Sequence, residues 1–126
     1  RTLVVDDEFL NREIARTLLE DIGLLVDTAE DGEKAVAMAR QTAYAAILMD
    51  VQMPNANGLE ATQQIRDIPA HRQTPIIAMT ANAFAEDKTR CLEAGMNDVL
   101  VKPFEPAMLF DSLLKWLPQP ALQPTI

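Results

Sequence analysis

Apolar positions along this chain follow two rhythms that alternate five times. Short β-branched and apolar runs without helical spacing lie at Thr2 to Val5, Leu24 to Ala29, Ala45 to Met49, Ile76 to Met79 and Asp98 to Val101. Each reads as a strand, the central ones buried on both faces. Between them the spacing becomes helical. Leu10, Ile14, Leu18 and Ile22 recur at i, i+4 and predict the inner face of a first helix, widened by Ala15 and Leu19 and stopped by Gly23. Asp31-Gly32 opens a second helix carrying Ala35, Val36, Met38 and Ala39. A third runs from Gly58 to Ile68 with Leu59, Ala61, Thr62 and Ile65 inward, a fourth spans residues 84 to 94 before Gly95, and a last one runs from Glu105 to Leu117. The segment from Ile68 to Pro75 reads as a polar, proline-bounded loop.

Strand and helix in alternation imply an α/β fold: a parallel sheet with helices on both faces. Right-handed crossovers then favour the flavodoxin-like (βα)5 arrangement, a three-layer sandwich with strand order 2-1-3-4-5. In such sheets ligands bind outside the carboxyl ends of the strands. Asp6-Asp7, Asp50, Thr80 and Lys102 stand at those ends. Singly each has a bland account: Asp6 or Asp7 as a helix N-cap, Thr80 as a cap of the fourth helix, Lys102 as a solvated charge. The bland accounts do not explain why acids, a hydroxyl and an ammonium converge on one rim. Three carboxylates packed together repel unless a cation compensates. Mg²⁺, a hard cation that takes oxygen ligands and keeps several waters, suits that role. An ammonium and a hydroxyl beside it suit a phosphoryl group.

With 126 residues there is room for one domain with a core, and 48% hydrophobic content excludes general disorder. We expect a domain over residues 1–117 and a linker or tail over 118–126, where Pro118, Pro120 and Pro124 fall. No apolar run is long enough for a membrane span, so no membrane contact is expected of this domain. The single cysteine, Cys91, excludes an internal disulfide or a cysteine metal cluster, and a cytoplasmic setting is expected. Acids outnumber Lys and Arg by 19 to 11, which argues against nucleic acid as a partner. The chain opens on Arg1 and enters a strand almost at once, as expected of a piece of a longer protein.

Asp6-Asp7, the run from Asp50 to Gly58 (DVQMPNANG), TANAFAED from Thr80 and VKPF from Val101 together resemble the receiver domain of two-component response regulators, over essentially residues 1–117. The longer runs MDVQMP, IIAMTANAF and AGMNDVLVKPF resemble the receivers of hybrid sensor histidine kinases, with a stand-alone or output-linked regulator as the alternative. The resemblance implies that Asp50 accepts a phosphoryl group from a phosphohistidine of a histidine kinase or a histidine phosphotransfer domain. It implies Mg²⁺ held by Asp7, Asp50 and the backbone carbonyl of Gln52, with Asp6 acting through a water. It further implies Lys102 pairing with a phosphoryl oxygen, Thr80 moving in to hydrogen-bond that group, Ala81 leaving space for it, and Pro103 as the family's proline after the lysine. A weak homodimer is compatible with it. Such a domain switches conformation and helps phosphorylate itself, but is not an enzyme acting on external substrates.

One position departs from the family. Three residues before Lys102, where the family commonly has a rotating Tyr or Phe, stands Val99. Two rival readings fit the residues less well. An aspartyl phosphatase of the haloacid-dehalogenase type wants an acid two residues after the nucleophile, and position 52 is Gln. A receiver serving interaction alone usually lacks an acid or the lysine, and all are present here. His71, the single histidine, is expected to be solvated in its polar loop, and Cys91 a small packed residue.

Overall fold

The computed structural model describes residues 1–51, 58–80, 85–101 and 106–116. Strands and helices alternate as β1 (Thr2–Val5), α1 (Phe9–Asp21), β2 (Val26–Ala29), α2 (Gly32–Gln41), β3 (Ala46–Asp50), α3 (Gly58–Arg66), β4 (Ile76–Thr80), α4 (Ala85–Ala94), β5 (Asp98–Val101) and α5 (Pro106–Trp116), with a single 3-10 turn at Pro69–His71. All pairings are parallel and the strand order is β2-β1-β3-β4-β5. This is the flavodoxin-like arrangement the alternation predicts.

β3 lies in the middle and is buried along its whole length. Its side chains alternate between two cores, as a strand's period of two requires. Ile47 and Met49 pack with Ala35, Val36, Ala61, Ile65 and Cys91 under α2, α3 and α4. Leu48 packs on the other face with Ala15, Leu19, Leu109 and Leu113 of α1 and α5. Each such side chain contributes about 1.5–3 kcal/mol by leaving water. Helix ends follow from local chemistry. Asp31 caps α2 by accepting the Lys34 N–H at 2.8 Å, and Gly23 takes the left-handed conformation (φ 91°) that closes α1.

Two expectations need correction. The predicted inner face of α1 is largely an outer one: Leu10, Ile14 and Ile22 are 70%, 56% and 50% exposed, while Ala15 and Leu19 are buried and Leu18 packs partly beneath the helix. His71 is wholly buried, not solvated. Its Nε2–H donates to the carbonyls of Ala39 (2.9 Å) and Thr42 (3.0 Å), its Nδ1 bonds Thr74 Oγ1 at 2.9 Å, and its ring stacks on Tyr44. Carbonyls only accept, which fixes the proton on Nε2. Arg66 performs a related task for α3. Its guanidinium donates to the carbonyls of Gly95, His71 and Thr74 and to Asn97 Oδ1, tying α3 to the segments that enter β4 and β5.

Candidate functional site

β1, β3 and β4 end side by side. Val5 pairs with Met49, so the next residues, Asp6 and Asp50, meet at the rim; Asp50 itself pairs with Met79, and Thr80 follows. Val51 N–H donates to the Met79 carbonyl at 3.1 Å, which holds the β3 exit against β4. Asp6, Asp50 and Thr80 are buried, and Asp7 is exposed. The carboxylates of Asp6, Asp7 and Asp50 each bring an oxygen within 4.8 Å of the others.

The turn after β1 is built to hold this cluster. Asp6 N–H donates to the Ala29 carbonyl at 3.2 Å, joining the strand end to β2. Asp6 Oδ1 accepts the Glu8 N–H at 3.0 Å, a local turn that starts α1. Glu8 occupies the N-cap position of α1, so neither Asp6 nor Asp7 does. From the next turn, Arg12 Nη1 reaches back to the Asp6 carbonyl at 2.8 Å while its guanidinium carbon lies 5.7 Å from the Phe9 ring centroid. Sequence reasoning passed over Arg12. Its signal was there: a position six residues after Asp6 faces back over the first turn of a helix.

Gly58 is the second positioning residue that was missed. It opens α3 so close to β3 that a Cβ there would lie 2.4 Å from the Asp50 carbonyl oxygen and 2.8 Å from Val51 Cα. Thr62 Oγ1 donates to the Gly58 carbonyl at 2.7 Å, fixing this first turn. Only glycine allows α3 and β3 to approach so closely.

Two buried carboxylates and an exposed third at such separations form a donor set for a hard cation with oxygen ligands, and their mutual repulsion supplies the reason to take one. Thr80 stands at the end of the neighbouring strand, with its hydroxyl-bearing side chain buried. Val99 pairs with Ala78 and packs, half-buried, against the core under α3 and α4. Lys102, Gln52, Ala81 and Pro103 lie outside the described residues.

Residues 2–114 match the family model described as the response regulator receiver domain. Among curated proteins, the chain is 42% identical over 116 residues to the signal transduction histidine-protein kinase BarA of Shigella flexneri, covering 92% of this chain and 13% of that protein. It is 38% identical over 126 residues to hybrid signal transduction histidine kinase B of Dictyostelium discoideum, covering 91% of this chain and 6% of that one. It thus spans a small part of the relatives it matches. Among solved structures, the receiver domain of sensor histidine kinase PA1611 from Pseudomonas aeruginosa, with a magnesium ion coordinated in its active-site cleft, superposes with a TM-score of 0.85 at 43% identity over 91% of this chain and 94% of that one. The receiver domain of Saccharomyces cerevisiae Ssk1, co-crystallised with the histidine phosphotransfer protein Ypd1, superposes with a TM-score of 0.88 at 29% identity over 98% of this chain and 92% of that one.

Proposed function

This chain belongs to the response regulator receiver domain family, and we propose that within a two-component phosphorelay Asp50 takes a phosphoryl group from a partner's phosphohistidine. The observation that carries this is the meeting of the Asp6, Asp7 and Asp50 carboxylates at the carboxyl edge of the sheet. An Asp50 carboxylate oxygen attacks phosphorus, the bond from phosphorus to the donor imidazole nitrogen breaks, and the imidazole leaves with a proton from solvent. Asp7, Asp50 and the Gln52 carbonyl would hold Mg²⁺, with Asp6 acting through a water. When bound, Mg²⁺ neutralises charge on the transferring phosphoryl oxygens. Thr80 hydrogen-bonds the phosphoryl group once it is on Asp50, and Lys102 pairs with one of its oxygens. No external substrate is turned over, and the domain works in the cytoplasm.

The partner is a histidine kinase or a histidine phosphotransfer domain, and the parent protein a hybrid sensor kinase. The exposed apolar side chains of Phe9, Leu10 and Ile14 lie within two turns of Asp7 and support a docking face on α1. The likeness to a receiver co-crystallised with a phosphotransfer protein supports the same partner class.

Incubation with acetyl phosphate and Mg²⁺, followed by intact mass, tests this. One phosphoryl group is expected, absent without Mg²⁺ and absent in Asp50→Asn. Equal labelling of Asp50→Asn would move the acceptor elsewhere.

A further inference from the structure

Three hydrogen bonds hold the Asp6–Asp7 pair, and each restrains a different part of it. Asp6 N–H donates to the Ala29 carbonyl at 3.2 Å, which fixes the end of β1. Asp6 Oδ1 accepts the Glu8 N–H at 3.0 Å, which fixes that side chain against the start of α1. The third acts on the link between the two acids: the Asp6 carbonyl accepts from Arg12 Nη1 at 2.8 Å. A peptide unit is planar, so rotation at Asp6 ψ moves this carbonyl and Asp7 together. Asp7 is exposed, so its direction is set by the backbone beneath it and not by packing. Holding the carbonyl therefore holds the one cluster carboxylate that the core does not.

Arg12 is itself held. Its own N–H donates to the Glu8 carbonyl at 3.1 Å, and its guanidinium carbon lies 5.7 Å from the Phe9 ring centroid. A planar guanidinium placed in this way loses little freedom when it bonds. Two effects of Arg12 on a cation site oppose each other. As a positive charge near the acids it works against a bound cation. As a tether it keeps the acids where Mg²⁺, with its strict coordination geometry, needs them. The surroundings decide between the two. Arg12 is half-exposed, so water and salt screen its charge. Its bond goes to a neutral carbonyl, so it takes up none of the carboxylates' charge directly. The tether outweighs the charge.

We infer that Arg12 is a positioning residue of the acidic cluster: through the Asp6 carbonyl it orients the Asp6–Asp7 pair and so sets the affinity for Mg²⁺. The inference rests on the reading of that cluster as a Mg²⁺ site. Groups that orient metal ligands from outside typically change affinity 10–100-fold when removed. Arg12 acts on the backbone of the pair and shares that task with two other bonds, so the low end of the range applies, about tenfold. Arg16, one turn further along α1, carries the same charge without the tether. Its guanidinium bonds Glu20 at 3.3 Å and pairs with Glu13, on the exposed side of the helix.

Mg²⁺ titration of the full chain, followed by NMR at the amides of Asp6, Asp7 and Val51, measures Kd without any phosphoryl chemistry. Arg12→Met keeps an apolar stem and removes donor and charge; its Kd should rise about tenfold. Arg12→Lys restores a donor and the charge, and its Kd should fall between those of Arg12→Met and the unaltered chain. Arg16→Met removes an equal charge and should leave Kd within about twofold, as screening of an exposed cation requires. The Mg²⁺ concentration that half-saturates labelling by acetyl phosphate should rise in step with Kd in Arg12→Met. Tighter Mg²⁺ binding in Arg12→Met would overturn the inference, because charge would then outweigh the tether. An unchanged Kd with a lowered melting temperature would overturn it too, leaving Arg12 a role in stability alone. Absence of any Mg²⁺-dependent shift in the unaltered chain would instead overturn the metal reading itself, and the inference with it.

Discussion

Gly58 presses its backbone onto Asp50: a methyl group added at Gly58 would stand 2.4 Å from the Asp50 carbonyl oxygen. The obstacle is backbone in a fully buried strand, so it cannot swing aside. Gly to Ala inside a helix ordinarily stabilises by up to about 1 kcal/mol. Here the sign should reverse, with Gly58→Ala destabilising by about 1–3 kcal/mol, the usual cost of overpacking. Urea unfolding measures that cost. The rate of phosphorylation by acetyl phosphate should fall as well, because the displaced backbone carries Asp50. Unchanged stability and rate would mean that α3 shifts without strain.

The acidic cluster makes a prediction about metal. Binding to the native state alone stabilises by mass action, about 2.7 kcal/mol at a Mg²⁺ concentration a hundredfold above Kd. Asp7→Ala should lose most of that increment. Because it removes a charge within 4.8 Å of two others, it should leave the metal-free protein no less stable. Thermal unfolding with and without Mg²⁺ reads both effects, and a full Mg²⁺ response in the variant would sink the assignment.

Tyr44 predicts behaviour at alkaline pH. Burial, then the hydrogen bond to Asp27 and its negative charge, push its hydroxyl up to about 12. A group whose folded pKa is raised contributes stability that is complete below the unfolded value, about 10, and is lost as pH rises through the folded one. Stability should therefore fall between about pH 10 and 12, by on the order of 2 kcal/mol. Tyr44→Phe should flatten that part of the profile. Tyr44 is the single tyrosine in the chain, so tyrosinate absorbance follows it directly. Titration near pH 10 in the folded state would contradict the packing described.

Asp98 and Val99 bear on the proposed conformational switch. Burial raises the Asp98 carboxyl, but hydrogen bonds from the Trp116 indole, the Val99 N–H and Ser112 Oγ, with the charge of Lys115, outweigh it and leave the pKa lowered. This latch stabilises above the unfolded carboxylate value and is lost as pH falls through the lower folded value. Asp98→Asn should remove that acid dependence. A phosphoryl mimic such as beryllofluoride gives Thr80 a charged acceptor, worth about 1.5–3 kcal/mol. Val99 has no ring to rotate, and α5 stays latched through Ser112 and Trp116. Fluorescence from Trp116, the single tryptophan, should scarcely change while amides near Thr80 shift. An equal response at Trp116 would show that coupling to α5 persists without the aromatic.

Much of this was legible in the sequence because strand and helix periods differ so plainly. β3, β4 and the acids at the strand ends could be read from apolar runs that stop on polar residues. The inner face of α1 could not. That helix carries two apolar rows, one through Leu10, Ile14 and Ile22 and one through Ala15 and Leu19, and the spacing that identifies a row does not say which one meets the sheet. The row with Leu10, Ile14 and Ile22 looked like core, yet Ala15 and Leu19 pack there, with Leu18 partly beneath the helix. His71 was hidden for another reason. Its partners Ala39 and Thr42 are remote in sequence and contribute backbone carbonyls, which leave no mark in composition. The close approach of Gly58 to Asp50 was equally invisible, since a glycine between loop and helix looks the same whether it turns or touches.

The central claim is that the nucleophile is the Asp50 carboxylate. After brief reaction with acetyl phosphate and Mg²⁺, the protein is treated with borohydride, which reduces an acyl phosphate to the alcohol, and digested for peptide mass spectrometry. The account predicts homoserine at position 50 and no other modified acid, with the product lost when Mg²⁺ is withheld. Homoserine at position 6 or 7 instead, or a phosphoryl group that survives borohydride on another side chain, would contradict it.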